Sequence, residues 1–228
     1  MAVPAAIDKV KIIVVGDSGV GKTSLVQRIC LNEASTNPGW TIGCSVEVKL
    51  HEYKVGTPVE KTFFVELWDV GGSTSHQNSR SIFYNPVHGM ILVHDLTNRK
   101  SHQNLGKWLA EVLNRDTYIE PNGYNYDPEQ FAGTQIPILV VGTKADLAQT
   151  LRESSFSRSS VAEESGADEI NLDCHQIKCL APGSTNAVNL SRFFDKVIER
   201  RYYSREVLSG HSTPTQERRR FLKNNHID

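Results

Sequence analysis

One segment of eight residues constrains the fold of this 228-residue chain more than any other. The run GDSGVGKT at residues 16–23 follows an apolar, β-branched stretch at residues 9–16, which is typical of a buried parallel strand. After it, apolar side chains recur at helical spacing over residues 23–30. The segment therefore predicts a tight glycine loop between a strand and a helix, which is the first half of a β-α-β unit.

This loop has the composition of a phosphate cradle. Its glycines let the backbone curl so that successive N–H groups face phosphate oxygens, and the helix N-terminus adds partial positive charge. Lys22 is placed to reach the β- and γ-phosphates of a nucleotide, and the Thr23 hydroxyl to ligate Mg²⁺. A chance glycine turn is the alternative, and a dinucleotide fingerprint fits less well because Ser18 stands where it needs glycine. The predicted phosphate-binding residues are Gly16, Asp17, Ser18, Gly19, Val20, Gly21, Lys22 and Thr23.

A second motif predicts how a base is recognised. The run Thr143-Lys144-Ala145-Asp146 comes directly after an apolar strand-like stretch at residues 136–142. The Asp146 carboxylate can accept two hydrogen bonds from guanine N1–H and its 2-amino group, a donor pair that adenine lacks. The aliphatic stem of Lys144 can lie along the base. Alone, this motif is also an ordinary polar turn between a strand and a helix; its position after a phosphate cradle favours a guanine site.

Two further segments are candidates for sensing the γ-phosphate. Asp69-Val-Gly-Gly72 ends a strand-like run, so that Asp69 can support the Mg²⁺ shell and the Gly72 N–H can meet the γ-phosphate. Thr41 lies in a polar loop, and its hydroxyl can complete the Mg²⁺ sphere while the γ-phosphate is present. Trp40 beside it is compatible either with the core or with an exposed partner contact.

Apolar runs alternate with helical patterns along the chain and predict the fold class. We expect strands near residues 9–16, 45–50, 62–70, 89–95 and 136–142, and a short sixth strand at 169–174. Amphipathic helices are expected at residues 105–113 and in a closing helix that carries Val188, Leu190, Phe193, Phe194, Val197 and Ile198. This pattern predicts an α/β fold with a doubly wound, mostly parallel six-stranded sheet flanked by helices.

The chain divides into a lead-in at residues 1–8, one domain at 9–203 and a polar, mildly basic tail at 204–228. An insertion at 116–135, rich in Asn, Gly, Pro and Tyr, interrupts the domain and is either a surface loop or a partner surface.

The net charge of −1 argues against a nucleic-acid binder, and no apolar run approaches the about 20 residues of a membrane span. The scattered cysteines (Cys30, Cys44, Cys174 and Cys179) and the lack of a signal-like N-terminus predict a cytoplasmic protein.

The motifs GDSGVGKT, WTIG, WDVGG, GMILVHDLTN and VVGTKAD occur in the order found in Ras-superfamily small GTPases, which the chain resembles over residues 8–200. The runs WTIGCSVEV, ELWDVGGS and EINLDC, together with the insertion, are similar to the Rab-like protein 3 subfamily. The resemblance implies a P-loop small G domain that binds GTP or GDP and Mg²⁺. It places the phosphates within Gly19–Ser24, the metal at Thr23, Thr41 and Asp69, the base at Thr143, Lys144, Ala145 and Asp146, and the last guanine loop at Asp173, Cys174 and His175.

Departures from the family pattern qualify these expectations. Ser73 stands where the family has a glutamine that orients the attacking water, so intrinsic hydrolysis is expected to be slow or absent. No catalytic residue is therefore assigned, and whether the chain is an enzyme stays open. Ala34 stands where relatives place an aromatic residue against guanine, which is expected to weaken nucleotide retention. Thr143 replaces the usual Asn, and the absence of a cysteine after Cys179 predicts that no prenyl or integral membrane anchor is used.

The main hypothesis is a Mg²⁺-dependent guanine-nucleotide switch of weak intrinsic activity whose output is a partner contact. The resemblance further implies a homodimer, contacts with other small GTPases or their chaperones and effectors, and a role in prenylation, traffic, signalling and proliferation. A constitutively GTP-bound, non-hydrolysing dimeric scaffold is the second hypothesis. A P-loop small-molecule kinase is the third, and Asp146 argues against it.

Overall fold

A computed structural model describes residues 8–33, 39–113, 119–120, 123–124, 135–150 and 160–204. Its strands are β1 (Lys9–Val15), β2 (Cys44–Tyr53), β3 (Lys61–Val70), β4 (Gly89–Asp95), β5 (Ile119–Glu120), β6 (Gly123–Tyr124), β7 (Ile138–Thr143) and β8 (Asp168–Asn171). Its α-helices are α1 (Lys22–Leu31), α2 (Gln77–Arg80), α3 (Arg99–Gln103), α4 (Leu105–Val112), α5 (Ala145–Thr150), α6 (Ser160–Ser165) and α7 (Thr185–Ile198). Single helical turns cover Thr74–His76, Ser81–Phe83, Ile177–Leu180 and Glu199–Tyr203.

Six strands form one sheet in the order β2-β3-β1-β4-β7-β8. All neighbouring pairs are parallel except β2 with β3, where Cys44 pairs with Val70 and Tyr53 with Lys61. The predicted six-stranded, mostly parallel sheet is therefore confirmed. The central strands β1, β4 and β7 are almost entirely buried, because helices cover both faces of the sheet.

Two apolar cores lie on the two faces of the sheet, as a doubly wound fold requires. On one face, α1 and α7 pack through Leu25, Ile29 and Phe193. On the other face, α4 packs through Leu105, Trp108 and Leu109, and α6 covers the adjoining part of the core through Val161 and Ala162. The edge strand β2 has only one neighbour in the sheet, and it leaves Val46, Val48 and Leu50 partly exposed.

Two expectations need correction. The sixth strand ends at Asn171 and does not reach Cys174, because the chain turns there and the Asp173 carboxylate accepts a hydrogen bond from the His175 N–H (2.8 Å). In α7, Val188 is 45% exposed, whereas the other predicted apolar residues of this helix are buried. Val188 is two residues from Leu190, about 200° around the helix, and so lies on the opposite face.

Of the insertion at 116–135, the structure describes the antiparallel pair of strands β5 and β6 and the last residue, Gln135. The rest of the insertion, residues 1–7 and residues 205–228 lie outside the described part of the chain, so the predicted lead-in and tail stay predictions. Among the helices that are described, none combines the length and the apolar character needed to cross a bilayer.

Candidate nucleotide-binding site

A cleft of about 480 Å³ opens where loops follow the carboxyl ends of β1, β3, β7 and β8. Open α/β sheets bind ligands at this edge. The cleft is lined by Ser18, Gly19, Gly21, Lys22, Thr23, Ser24, Gly39, Trp40, Thr41, Ile42, Gly72, Ser73, Ser75, His76, Lys144 and His175. Segments that are far apart in the sequence thus meet in one site.

The floor of the cleft is the loop between β1 and α1. Gly19 and Gly21 have φ angles of 78° and 94°, a left-handed conformation that favours glycine. The Lys22 ammonium donates to the carbonyls of Gly16 (2.8 Å) and Asp17 (2.9 Å), which holds it over the loop. Burial lowers the pKa of Lys22 to about 8, and the nearby carboxylates of Asp69 and Asp17 partly oppose this shift.

Three oxygen-bearing side chains meet beside Lys22. The Thr23 hydroxyl lies 3.1 Å from the Thr41 hydroxyl and donates to Asp69 Oδ2 at 2.5 Å; the Thr41 hydroxyl donates to the same oxygen at 3.2 Å. Asp69 is 1% exposed, and its Oδ1 is buried without a hydrogen-bond partner within the described structure. Burial raises the pKa of Asp69, while Thr23 and Lys22 oppose the shift.

An orphaned carboxylate oxygen beside two hydroxyls is a hard-oxygen donor set, which Mg²⁺ prefers. The cluster predicted at Thr23, Thr41 and Asp69 is thus assembled in one place, and its chemistry fits the metal.

The loop after β3 packs against the phosphate loop. A Cβ atom at Gly72 would lie 2.5 Å from the Gly16 carbonyl oxygen and 2.6 Å from the Ser18 nitrogen, so only glycine allows this approach. Next to it, the Ser73 hydroxyl lies 2.7 Å from the Ser75 hydroxyl, and Ser73 borders the cleft. The predicted γ-phosphate segment therefore sits beside the cradle.

On the opposite side of the cleft, Lys144 has a left-handed backbone (φ 59°), and its ammonium binds Asp95 Oδ2 at 2.6 Å. The Thr143 hydroxyl is buried and donates to the carbonyls of Val20 (2.5 Å) and His94 (3.0 Å). Thr143 therefore joins β4 and β7 to the phosphate loop, and it supports the cleft from behind.

Comparison with known proteins agrees with this geometry. Residues 11–202 match the model of the Ras family. The chain belongs to the Ras family. Among its curated relatives, Rab-like protein 3 of Xenopus tropicalis is 54% identical, with 97% of each chain covered. Rab-like protein 3 of Homo sapiens is 52% identical over 98% of this chain and all of the relative. A plant relative, Small GTPase LIP1 of Arabidopsis thaliana, is 34% identical over 87% of this chain and 64% of its own length.

The predicted resemblance to Ras-superfamily GTPases, and to Rab-like protein 3 among them, is thus confirmed. Within this Ras-family domain, most of the predicted phosphate and metal residues line the cleft, whereas Asp69 is buried behind Thr23 and Thr41. Gly16, Asp17 and Val20 belong to the same loop but do not line the cleft. The Asp17 carboxylate accepts hydrogen bonds from Asn104 (2.7 Å), which directly precedes α4, and from Trp108 (2.8 Å) of α4.

The base side of the Ras-family domain is less completely assembled around the cleft. Ala145 and Asp146 open α5 next to Lys144, but they do not line the cleft. Of the last predicted guanine loop, His175 lines the cleft, whereas Asp173 and Cys174 are buried behind it. The base-binding roles of these residues stay predictions, and Ala34 lies outside the described residues.

Two buried arginines that the sequence motifs did not indicate support the site. Arg28 of α1, 1% exposed, donates to the carbonyls of Cys174 (2.9 Å), Asn32 (3.0 Å) and His175 (3.3 Å). Arg80 of α2, 3% exposed, lies behind the loop at residues 71–73. Neither arginine lies within the motifs that carry the resemblance, so only their contacts in the folded chain reveal them.

The rim of the cleft is apolar. Trp40 is 92% exposed and Ile42 is 81% exposed, which decides the open alternatives for Trp40 in favour of the surface. Both residues flank Thr41, whose hydroxyl belongs to the Thr23–Thr41–Asp69 cluster.

Proposed function

We propose that this chain is a molecular switch that binds GTP or GDP with Mg²⁺ and hydrolyses GTP slowly or not at all. The observation that carries the proposal is the convergence of the phosphate loop, the Thr23–Thr41–Asp69 cluster and Lys144 on one cleft. Membership of the Ras family and the similarity to Rab-like protein 3 support guanine as the base.

The phosphates are held by charge and by backbone donors. Lys22 balances phosphate charge from the floor of the cleft, and the curled loop presents N–H groups at the start of α1. Bound Mg²⁺ would neutralise further phosphate charge. The hydroxyls of Thr23 and Thr41 would hold it, and Asp69 Oδ1 in the same cluster has no hydrogen-bond partner among the described residues.

Guanine is selected by Asp146 and covered by Lys144. The Asp146 carboxylate accepts hydrogen bonds from two guanine donors, and adenine would leave that carboxylate unpaired at a cost of about 1–3 kcal/mol. Lys144 is held beside the cleft by Asp95, so that its stem lies along the base. Asp173, Cys174 and His175 complete this side, supported by Arg28.

Hydrolysis is slow because Ser73 replaces the residue that orients water. Its hydroxyl is short, lies 2.7 Å from the Ser75 hydroxyl and caps the following helical turn by accepting from the Ser75 N–H. These local bonds favour a second candidate function, in which GTP stays bound and the chain acts as a constitutive, non-hydrolysing dimeric scaffold.

The output of the switch is a contact with partners. We extend the proposal to a homodimer that regulates other small GTPases, their chaperones or effectors, and so affects prenylation, traffic, signalling and proliferation. The exposed Trp40 and Ile42 beside Thr41 support a nucleotide-dependent contact surface. The free thiols of all four cysteines support a cytoplasmic location.

The proposal is tested by native mass spectrometry of the purified full chain, which reports nucleotide identity and oligomeric state together. We expect one GTP or GDP for each chain, lost on removal of Mg²⁺ and not displaced by ATP at equal concentration. Lys22→Ala should abolish binding, and the exposed control Lys100→Ala should preserve it. Displacement of GTP by equimolar ATP would contradict guanine selection and favour a kinase-like site.

Phosphate release followed over hours separates the two candidate functions. A switch releases phosphate slowly, and more rapidly with an activator that supplies an arginine. Bound GTP that is never turned over, with or without candidate activators, would exclude the switch and leave the scaffold.

A further inference from the structure

A buried arginine is hydrogen-bonded to the loop at residues 71–73, which faces the proposed γ-phosphate position. Arg80 is 3% exposed, and its Nη1 donates to the Gly71 carbonyl (3.3 Å) and to the Ser73 carbonyl (3.1 Å). These two carbonyls flank Gly72, whose N–H is the predicted γ-phosphate donor. One guanidinium nitrogen thus holds the backbone on both sides of that residue.

The guanidinium is itself fixed by α4. Its Nε and Nη2 donate to the two carboxylate oxygens of Glu111 at 2.8 and 2.9 Å, and its Cζ lies 4.4 Å from the ring centroid of Trp108. The Tyr84 hydroxyl also donates to Glu111 (2.7 Å). A bidentate pair of this kind defines orientation as well as distance, because both partners are planar.

Because the peptide group is planar, the hydrogen bond from Arg80 to the Gly71 carbonyl also fixes the direction of the Gly72 N–H. The Gly71 carbonyl and the Gly72 N–H belong to one planar trans peptide, so they point in opposite directions. Arg80 holds the carbonyl on one side, and the Gly71 N–H is held by the Gly43 carbonyl (2.9 Å). On the other side, Gly72 packs against the phosphate loop and lines the cleft. The N–H of Gly72 is therefore directed away from Arg80.

We propose that Arg80 is a positioning residue that aims the Gly72 N–H at the γ-phosphate and thereby sets the preference of the site for GTP over GDP. The inference rests on the proposed nucleotide-binding function. GDP has no phosphate at this position, so only GTP gains from the aimed donor. Because the Gly72 N–H is already in position, the loop loses less conformational entropy when GTP binds.

The charge of Arg80 offers an alternative explanation. Arg80 is close enough to Lys22 to contribute to the lowering of its pKa, so it adds positive potential at the phosphate end of the cleft. An electrostatic effect of this kind would survive replacement by lysine. The aiming effect would not, because a single ammonium cannot bind Glu111 in bidentate fashion and hold two carbonyls at once.

The experiment measures the dissociation constants of GDP and of a non-hydrolysable GTP analogue for the full chain with Mg²⁺. For Arg80→Lys we expect the affinity for the GTP analogue to fall about 10–100-fold and the affinity for GDP to change less than about threefold. Glu111→Gln removes the charged anchor of Arg80 and should lower the same affinity ratio by a smaller factor. The exposed Arg99→Lys is the matched control and should leave both constants unchanged.

The result that overturns the inference is an unchanged GTP-to-GDP affinity ratio in Arg80→Lys or, should that variant not fold, in Glu111→Gln. Equal losses for both nucleotides would likewise contradict it, because they indicate only a structural role. Failure of the wild-type chain to bind any guanine nucleotide would instead contradict the proposed function, so the two failures are distinguishable.

Discussion

The proposed base side and the proposed phosphate side of the cleft are each supported by one buried arginine, but in different ways. Arg28 donates to three backbone carbonyls, and no carboxylate of the described residues lies within ion-pair distance of it. Arg80 donates to two carbonyls and is also paired with Glu111. The first arginine is held by backbone alone, and the second is held by a side chain of a neighbouring helix.

The difference follows from what each arginine connects. Arg28 ties the end of α1 to the loop at residues 173–175, and both contact the core that α1 and α7 cover. Arg80 ties the γ-phosphate loop to α4 on the other face of the sheet. We therefore expect damage at Arg28 to affect all nucleotides equally, whereas damage at Arg80 distinguishes GTP from GDP.

Substitution of Arg28 is expected to have the largest effect. Arg28→Met leaves three buried carbonyls without their donor and should lower the free energy of unfolding by about 3–5 kcal/mol. Affinity for GTP and GDP should fall together, so that their ratio is unchanged. Denaturant unfolding and paired nucleotide titrations measure both quantities, and the exposed Arg192→Met is the control. A tenfold change in the ratio would contradict the division between the two arginines.

The second prediction concerns base selection. Asp146→Asn should reduce the preference for GTP over ATP about 10–100-fold, because the amide no longer accepts both guanine hydrogen bonds. The GTP-to-GDP ratio should not change, since both nucleotides carry the same base. Competition titrations report the preference, with Glu164→Gln on the exposed face of α6 as control. Full retention of GTP selectivity would disprove the role given to Asp146.

Local sequence signals predicted the buried strands of the sheet and the glycine loop after β1, because each of these lies within one continuous segment. The apolar runs of β1, β4 and β7 indicate buried parallel strands, and the residues from Gly16 to Thr23 form a loop whose chemistry is local. The short helices α2, α3, α5 and α6 were not predicted, because four to six residues carry too little periodicity.

The supporting arginines could not be predicted for a different reason. Arg28 acts on a carbonyl 146 residues away, and Arg80 on a carboxylate 31 residues away. Carbonyl acceptors have no sequence signature, so such contacts appear only after folding. The hydrogen bond from Thr143 to Val20 is of the same kind, and it explains how a hydroxyl at this position supports the phosphate loop.

A third prediction tests the phosphate side through hydrolysis. Ser73→Gln places an amide where it can orient the attacking water, in a loop that is already held by Arg80. We therefore expect this variant to release phosphate about tenfold faster than the wild type. Ser75→Gln puts the same side chain two residues further along the cleft rim and should not raise the rate. Single-turnover phosphate release measures both variants. Equal rates for wild type and Ser73→Gln would show that Ser73 does not limit hydrolysis.

The last prediction is a pH dependence of stability that arises from a buried histidine beside Thr143. His94 is 1% exposed, both of its ring nitrogens lack hydrogen-bond partners within the described structure, and its carbonyl accepts from Thr143. Burial lowers the pKa of His94 to about 4, and His102 adds to the shift while Asp95 opposes it.

In the unfolded chain the His94 side chain therefore takes up a proton near pH 6.5, whereas in the folded chain it does so only near pH 4. Stability should fall as the pH drops through this window, by at most about 1.4 kcal/mol per pH unit for each proton. His94→Leu should flatten the dependence, although His88, whose pKa is also lowered to about 4, retains part of it. Denaturant unfolding between pH 4 and pH 7 measures the slope, with the exposed His76→Leu as control. An unaltered slope in His94→Leu would show that the proton is taken up elsewhere.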